Sequence, residues 1–315
     1  MKPVHFTLSL LALCLPRLVF AHDTIVDKQH SKIKDILYNW SNTIDDWVGT
    51  PDPDKPASAN LRLMLDNQWN RYDGYSIKPR VRAKIRLPAL KRHLSIVMGD
   101  EDLDNQSRDR VQTAPNYRER LPKDKYYDKN QTRQDNNSLA LRWSDGIKSL
   151  GIETDLDLGI RSGADIFLRA KASKTWQHTD QFSTRLEQIY RYGSNSKHYV
   201  RTNLENKYVQ DDIAFINNHT YFEYTHDIDE NLRWGNSVYR EHNFTGYKRL
   251  NYGLSIGGDI QHKRFKLIHY GPFITYRQPI LREWLFIQPE LSFYNNKRLN
   301  RPHHLGAFLR LEAIF

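Results

Sequence analysis

The sequence predicts an all-β fold, an antiparallel up-and-down barrel of about 14 strands with 12 as the alternative, behind a short N-terminal amphipathic helix. Three observations predict it. Residues 305–315 alternate strictly, with Leu305, Ala307, Leu309, Leu311, Ala313 and Phe315 on one face and Gly306, Phe308, Arg310, Glu312 and Ile314 on the other. Residues 77–87 alternate as cleanly: Pro79, Val81, Ala83, Ile85 and Leu87 oppose Lys78, Arg80, Arg82, Lys84 and Arg86. The apolar period is helical up to about residue 50 and becomes two from residue 59 onward.

The elements follow in chain order. Residues 1–21 read as a cleaved secretory signal, with Lys2 as its basic start, Phe6 to Leu15 as its apolar stretch and Val19-Phe20-Ala21 as its cleavage site. The single cysteine, Cys14, falls in that signal, so the mature chain is expected to lack disulfides and thiol chemistry. Residues 22–58 form an amphipathic helix and a linker. Ile33, Ile36, Leu37, Trp40, Ile44, Trp47 and Val48 recur at helical spacing over roughly four turns. Gly49 and the run Pro51-Asp52-Pro53-Asp54-Lys55-Pro56 stop the helix. Residues 59–315 are the barrel. After strands at 59–66, 77–87 and 94–98 comes a polar segment, 100–137, read as a long loop. Further strands are expected near 138–143, 150–161, 165–176, 181–192, 197–207, 212–225, 231–240, 248–260, 265–277, 284–294 and 304–315. Trp69, Trp143, Trp176, Tyr190, Trp234, Tyr276, Trp284 and Tyr294 fall near the strand ends.

A terminal strand apolar on one face and closed by an aromatic residue resembles the last strand of bacterial outer-membrane β-barrels. The resemblance is at the level of that class and covers residues 59–315. It implies a transmembrane barrel in the outer membrane of a Gram-negative bacterium, with both termini in the periplasm. It also implies contact with outer-membrane lipid and lipopolysaccharide. Leu309, Leu311 and Phe315 would carry the signal that the barrel-assembly machinery reads.

Composition fits such a barrel. Charged residues make up 27% of the chain, and mean hydropathy is −0.74, values that alone suggest a soluble protein. A barrel escapes that average because half of each spanning strand faces a polar interior. The 18 Tyr and 7 Trp argue against disorder. Net charge is +10, falling to +8 when Lys2 and Arg17 leave with the signal. No nucleic-acid motif accompanies the charge, so anionic lipid or anionic solutes are the expected partners rather than nucleic acid.

The chemistry is expected inside. Lys78, Arg80, Arg82, Lys84 and Arg86 place one cation about every 6.8 Å along a strand, at roughly 3.4 Å per residue. On a lipid face each would cost about 2–4 kcal/mol near mid-membrane, so the ladder must face the lumen. Glu153, Asp155 and Asp157 face inward beside Arg169 and Lys171 on the next strand, forming acidic–basic pairs. Glu290 and Glu312 add inward acid near the closing seam. Such groups either fill and rigidify a narrow lumen or attract anions into it.

No enzymatic, metal or cofactor motif emerges, and the chain is expected to need no cofactor. The histidines are scattered; His219 with Asn217, Asn218 and Thr220 is the most site-like group and reads as a strand-end polar cluster. His303-His304 is expected in an outer loop. The run Asp100-Glu101-Asp102 with Asp104 lacks a calcium-loop pattern. The leading expectation is a narrow channel with a basic wall favouring small anions. The alternatives are a closed scaffold barrel that docks a periplasmic partner through residues 22–50 and, more weakly, a lipid- or lipopolysaccharide-modifying enzyme.

Overall fold

A strand leaves no raw edge only if both its neighbours pair with it, and here that condition is met by closure. In the computed structural model the described residues are 25–48, 57–87, 93–99, 127, 132, 136–226, 232–261 and 264–315. They form a helix, α1 (Ile25–Val48), and the strands β1 (Ser58–Asn70), β2 (Gly74–Arg86), β3 (Leu94–Gly99), β4 (Ser138–Ile147), β5 (Ile152–Arg161), β6 (Asp165–Gln177), β7 (Phe182–Gly193), β8 (Lys197–Val209), β9 (Ala214–Thr225), β10 (Leu232–Phe244), β11 (Lys248–Gln261), β12 (Arg264–Ile280), β13 (Arg282–Asn296) and β14 (Arg301–Ile314). Each strand pairs antiparallel with its sequence neighbours, and β1 pairs β14, giving a closed 14-stranded up-and-down barrel. The expected signal with Cys14, the proline-rich linker, the acidic run from Asp100 and most of the long loop lie outside the described residues.

Local chemistry moves several boundaries. Asn70 accepts from the backbone N–H groups of Tyr72 and Asp73, both at 2.9 Å. This Asx turn closes the β1–β2 connection so tightly that β2 begins at Gly74 rather than 77. Leu150 belongs to a short 3-10 turn, Lys148–Leu150, so β5 starts at Ile152. His303 and His304 lie in β14, not in a loop, because the β13–β14 turn occupies only 297–300. The helix starts at Ile25, eight residues before the apolar stripe, since neither Pro nor Gly interrupts 25–32.

The alternation turns the barrel inside out relative to a soluble one. Leu65, Val81, Leu139, Leu141, Leu156, Leu158, Ile166, Leu168, Leu254, Ile256, Ile274, Leu291 and Leu305 are all exposed on the outer wall. Arg80, Arg142, Asp157, Arg169, Glu187, Arg201, Asn251, Glu290, Arg310 and Glu312 are buried on the inner one. An apolar exterior around a polar interior suits hydrocarbon surroundings. Trp69, Trp143, Trp176 and Tyr190 are exposed and share the alternation of that wall. Trp284 and Tyr294, also near strand ends, face inward instead, where Trp284 stacks on His30 and Tyr294 lies tilted against His304. Nearness to a strand end does not decide the face; residue parity does.

The outer wall changes character on β7–β10. Thr184 and Gln188, Thr202 and Asn206, Asn218 and Thr220, and Asn236 share their alternation with Leu186, Leu204, Ile216 and Val238, which are exposed on that wall. Arg240 belongs to the same face, in register with Ile216 and Tyr252.

Helix α1 lies at the end of the barrel that holds the C-terminus. Asp27 accepts Nε and Nη2 of Arg282, both at 2.6 Å. His30 stacks on Trp284 and Phe315 with centroids 4.1 and 4.8 Å away, and its Nε2 lies 3.2 Å from the Ile314 carbonyl. Ser41 is fully buried, whereas Ile36, Tyr38 and Trp40 are exposed. The expected stripe is therefore split: its Ile33, Leu37 and Ile44 side is partly covered, and its Ile36 and Trp40 side is not.

Candidate functional site: the inner wall

Strand number sets what a barrel interior can hold. About 8 strands are just filled by side chains, whereas about 16–18 leave an aqueous channel. Fourteen strands lie between, so the chemistry of the inner wall decides what the interior accepts.

The ladder on β2 faces that interior. Lys78 is in register with Asp66, Arg80 with Met64 and Arg82 with Arg62 on β1. Arg80 and Arg82 are 7% and 5% exposed, so both are buried. Arg80 donates to Asp66 at 3.5 Å, and Arg82 donates to the Gly99 and Met98 carbonyls at 3.2 and 3.4 Å. Lys78 and Lys84 are half-buried, and Arg86, at the strand end, is exposed.

Three carboxylates are each shared between two arginines. Asp66 takes Arg310 at 2.7 and 2.9 Å as well as Arg80. Asp157 takes Arg142 at 2.6 Å through both oxygens and Arg169 at 2.9 Å. Glu312 takes Arg62 Nε at 2.7 Å on one oxygen and Arg277 at 2.8 Å on the other. Each acid is 5% exposed or less, and two charge-assisted partners offset what burial costs it. The wall is thus internally bonded.

The other expected pairs come together in part. Lys171 reaches Asp155 at 2.7 Å. Glu153 is met by Ser173 Oγ at 3.3 Å. Glu290 accepts from Thr275 at 2.8 Å, next to the seam. Sequence reasoning missed Arg142 and Arg277, and it did not foresee the pairings of Arg62 and Arg310. The signal that could have found them is register: Arg142 stands directly opposite Asp157, and Arg310 opposite Asp66. On β14, Leu309 and Leu311 are partly exposed, and Phe315 exchanges backbone bonds with Leu61 at 2.9 and 3.2 Å.

Aromatic rings interleave with these cations. Arg277 lies 3.6 Å from the Phe286 centroid, Arg201 4.3 Å from Tyr221 and Arg191 4.9 Å from Tyr199. The Tyr221 ring fills the space beside Gly235, its cross-strand partner, where a Cβ would clash. His219 sits at the middle of β9, not at a strand end, and lies 3.2 Å from Asn203 Oδ1. Asn217 shares its inward face, but Asn218 and Thr220 point out, so alternation splits the cluster that proximity in sequence suggested. No group of three or more His, Cys, Asp or Glu residues with metal-holding geometry occurs among the described residues.

No protein-family model and no curated protein matches the chain. Solved structures do resemble it in fold. A loop-deletion mutant of OmpT, an outer membrane protein of Vibrio cholerae, aligns over 82% of this chain and 99% of its own, with a TM-score of 0.48 and 7% identity. A mutant of Rh. blastica porin aligns over 82% of this chain and 100% of its own, with a TM-score of 0.45 and 11% identity. The KdgM porin aligns over 80% of this chain and 98% of its own, with a TM-score of 0.37 and 8% identity.

Proposed function

We propose that this barrel spans the outer membrane of a Gram-negative bacterium, with both termini in the periplasm, as a narrow channel whose basic inner wall favours small anionic solutes. The observation that carries the reading is the crowding of arginine on the inner wall, where Asp66, Asp157 and Glu312 are each shared between two arginines. Fixed charge of one sign in a confined, low-dielectric passage raises the local concentration of counter-ions. The expected assembly signal, Leu309, Leu311 and Phe315, and contact with lipid and lipopolysaccharide belong to the same proposal. The test is ion selectivity in a planar bilayer across a salt gradient. Steady anion-selective current supports the reading. Replacing Lys78, Lys84 and Arg86 with Gln, the less buried members of the ladder, then lowers selectivity; unchanged selectivity sinks it.

A second reading has its own observation. Tyr38 and Trp40 are 56% and 62% exposed on a helix whose first turns are pinned to the barrel. A closed scaffold that docks a periplasmic partner through residues 22–50 accounts for such a face. It requires no conductance, and partner capture that is lost when those residues are removed.

A further inference from the structure

We infer that the outer face of β7–β10 is a contact surface for a second copy of this chain, not a lipid-facing wall. The inference rests on the membrane-spanning reading above.

Hydrocarbon offers no hydrogen bonds, so a wall in contact with it is apolar, as it is around mid-strand on β2, β5 and β14. The face carrying Gln188, Thr202, Asn206, Asn218, Thr220 and Asn236 breaks that rule within a few residues of mid-strand. These side chains bond to one another across the strands. Thr202 donates to Gln188 at 2.7 Å, and Thr184 to Asn206 at 2.9 Å. Asn236 donates to Thr220 at 2.7 Å and to Asn218 at 2.9 Å. These bonds use only part of the capacity of the amides, each of which has two N–H donors and an oxygen with two lone pairs. Arg240 adds a guanidinium to the same face, in register with Ile216 and Tyr252.

The occupant must therefore lie at the same depth in the membrane and bring both donors and acceptors. A second copy does both. The same barrel places the same face at the same height. Amide and hydroxyl groups complement themselves, each carrying both roles. The amide oxygens of the facing copy can accept from Arg240, whose charge lipid would not tolerate without a partner. Leu186, Leu204, Phe222 and Val238, exposed between the polar groups, supply apolar contact in the same patch.

The test uses the full chain with Cys14→Ser, which removes the only cysteine, plus one added cysteine, in outer membranes isolated from a Gram-negative host. Asn206→Cys is compared with Leu305→Cys, which lies exposed on β14, away from the patch. A short bis-maleimide is expected to yield a doubled-mass adduct of this chain from Asn206→Cys and none from Leu305→Cys. No adduct from Asn206→Cys, equal adducts from both, or an adduct with another protein overturns the inference. Native mass of the unmutated protein gives a second readout. Expected are multiples of one chain that fall to a single chain in the double variant Asn218→Leu, Asn236→Leu, while heat-modifiable migration shows an intact barrel. A single-chain mass before mutation, or an unchanged assembly after it, overturns it as well. A chain that fractionates away from the membrane overturns the membrane reading too. Failed cross-linking in a chain that does reach the membrane overturns only the interface.

Discussion

Arg310 on the last strand closes a bidentate ion pair with Asp66 on the first, Nε to Oδ1 at 2.7 Å and Nη2 to Oδ2 at 2.9 Å, across the seam that makes the barrel. Both residues are buried, Arg310 at 1% and Asp66 at 5% exposure. Removing one partner leaves an uncompensated buried charge, which costs about 3–5 kcal/mol. Asp66→Asn takes the shared carboxylate away from two buried cations, Arg310 and Arg80, at the point where the sheet must find its own edge. It is expected to lower unfolding stability by that amount, read as a shift of the guanidinium midpoint in detergent without a change in slope. A shift below about 1 kcal/mol would mean that the seam is held by its backbone ladder alone.

The proposed anion-selective channel predicts a rise in selectivity from a mutation on β5. Asp155 and Lys171 pair at 2.7 Å, and each keeps about a sixth of its surface exposed, 16% and 17%. Asp155→Asn removes an inward negative charge and releases Lys171 to the lumen. Anion selectivity is expected to rise, seen as a larger reversal potential in the same salt gradient. A fall or no change would place Lys171 outside the conducting path.

Two features of the inner wall were legible in the sequence, and two were not. The β2 ladder was legible because five cations alternate with five apolar residues, and only one orientation of that strand is affordable in lipid. Asp157 was legible as an inward acid, but its bidentate partner Arg142 was not: β4 ends among polar residues, and only its register with β5 brings the two together. The inward turn of Trp284 was hidden because an aromatic near a strand end reads the same on either face. The polar exterior of β7–β10 was hidden for a related reason. Polar residues on both faces erase the alternation, so β8 reads simply as a weak strand.

The contacts of α1 predict a separable latch. Asp27 and His30 hold the helix to Arg282, Trp284 and the last two residues. The ion pair is partly exposed, 27% for Arg282 and 16% for Asp27, so it contributes at most about 1 kcal/mol after screening. Asp27→Asn with His30→Ala is expected to speed hydrogen exchange of the first turns of the helix roughly tenfold, since about 1.4 kcal/mol is a factor of ten. The barrel's melting temperature should stay unchanged. If it falls with the double variant, the helix is part of the barrel's structure rather than a latch on it.

The end of the barrel away from α1 carries a pH-dependent clamp. Arg301 at the start of β14 donates to Asp73 in the β1–β2 turn at 2.7 and 2.8 Å, and Asn70 adds a bond at 2.9 Å. Burial pushes the Asp73 carboxyl up, but the hydrogen bonds from Arg301 and Asn70 and the Arg301 charge together outweigh it, so its pKa lies below the ordinary carboxylate value of 3.8. A carboxyl depressed on folding contributes stability above its unfolded pKa and loses it as pH falls through the folded one. Wild type is therefore expected to melt above Asp73→Asn at pH 7 and at pH 5, with the gap closing below about pH 4, the unfolded carboxyl range. Because Asp73 keeps 36% of its surface exposed, added salt should shrink the gap at pH 7 as well. A gap that persists at pH 2.5 would assign the difference to the Asn70 turn and not to the ion pair.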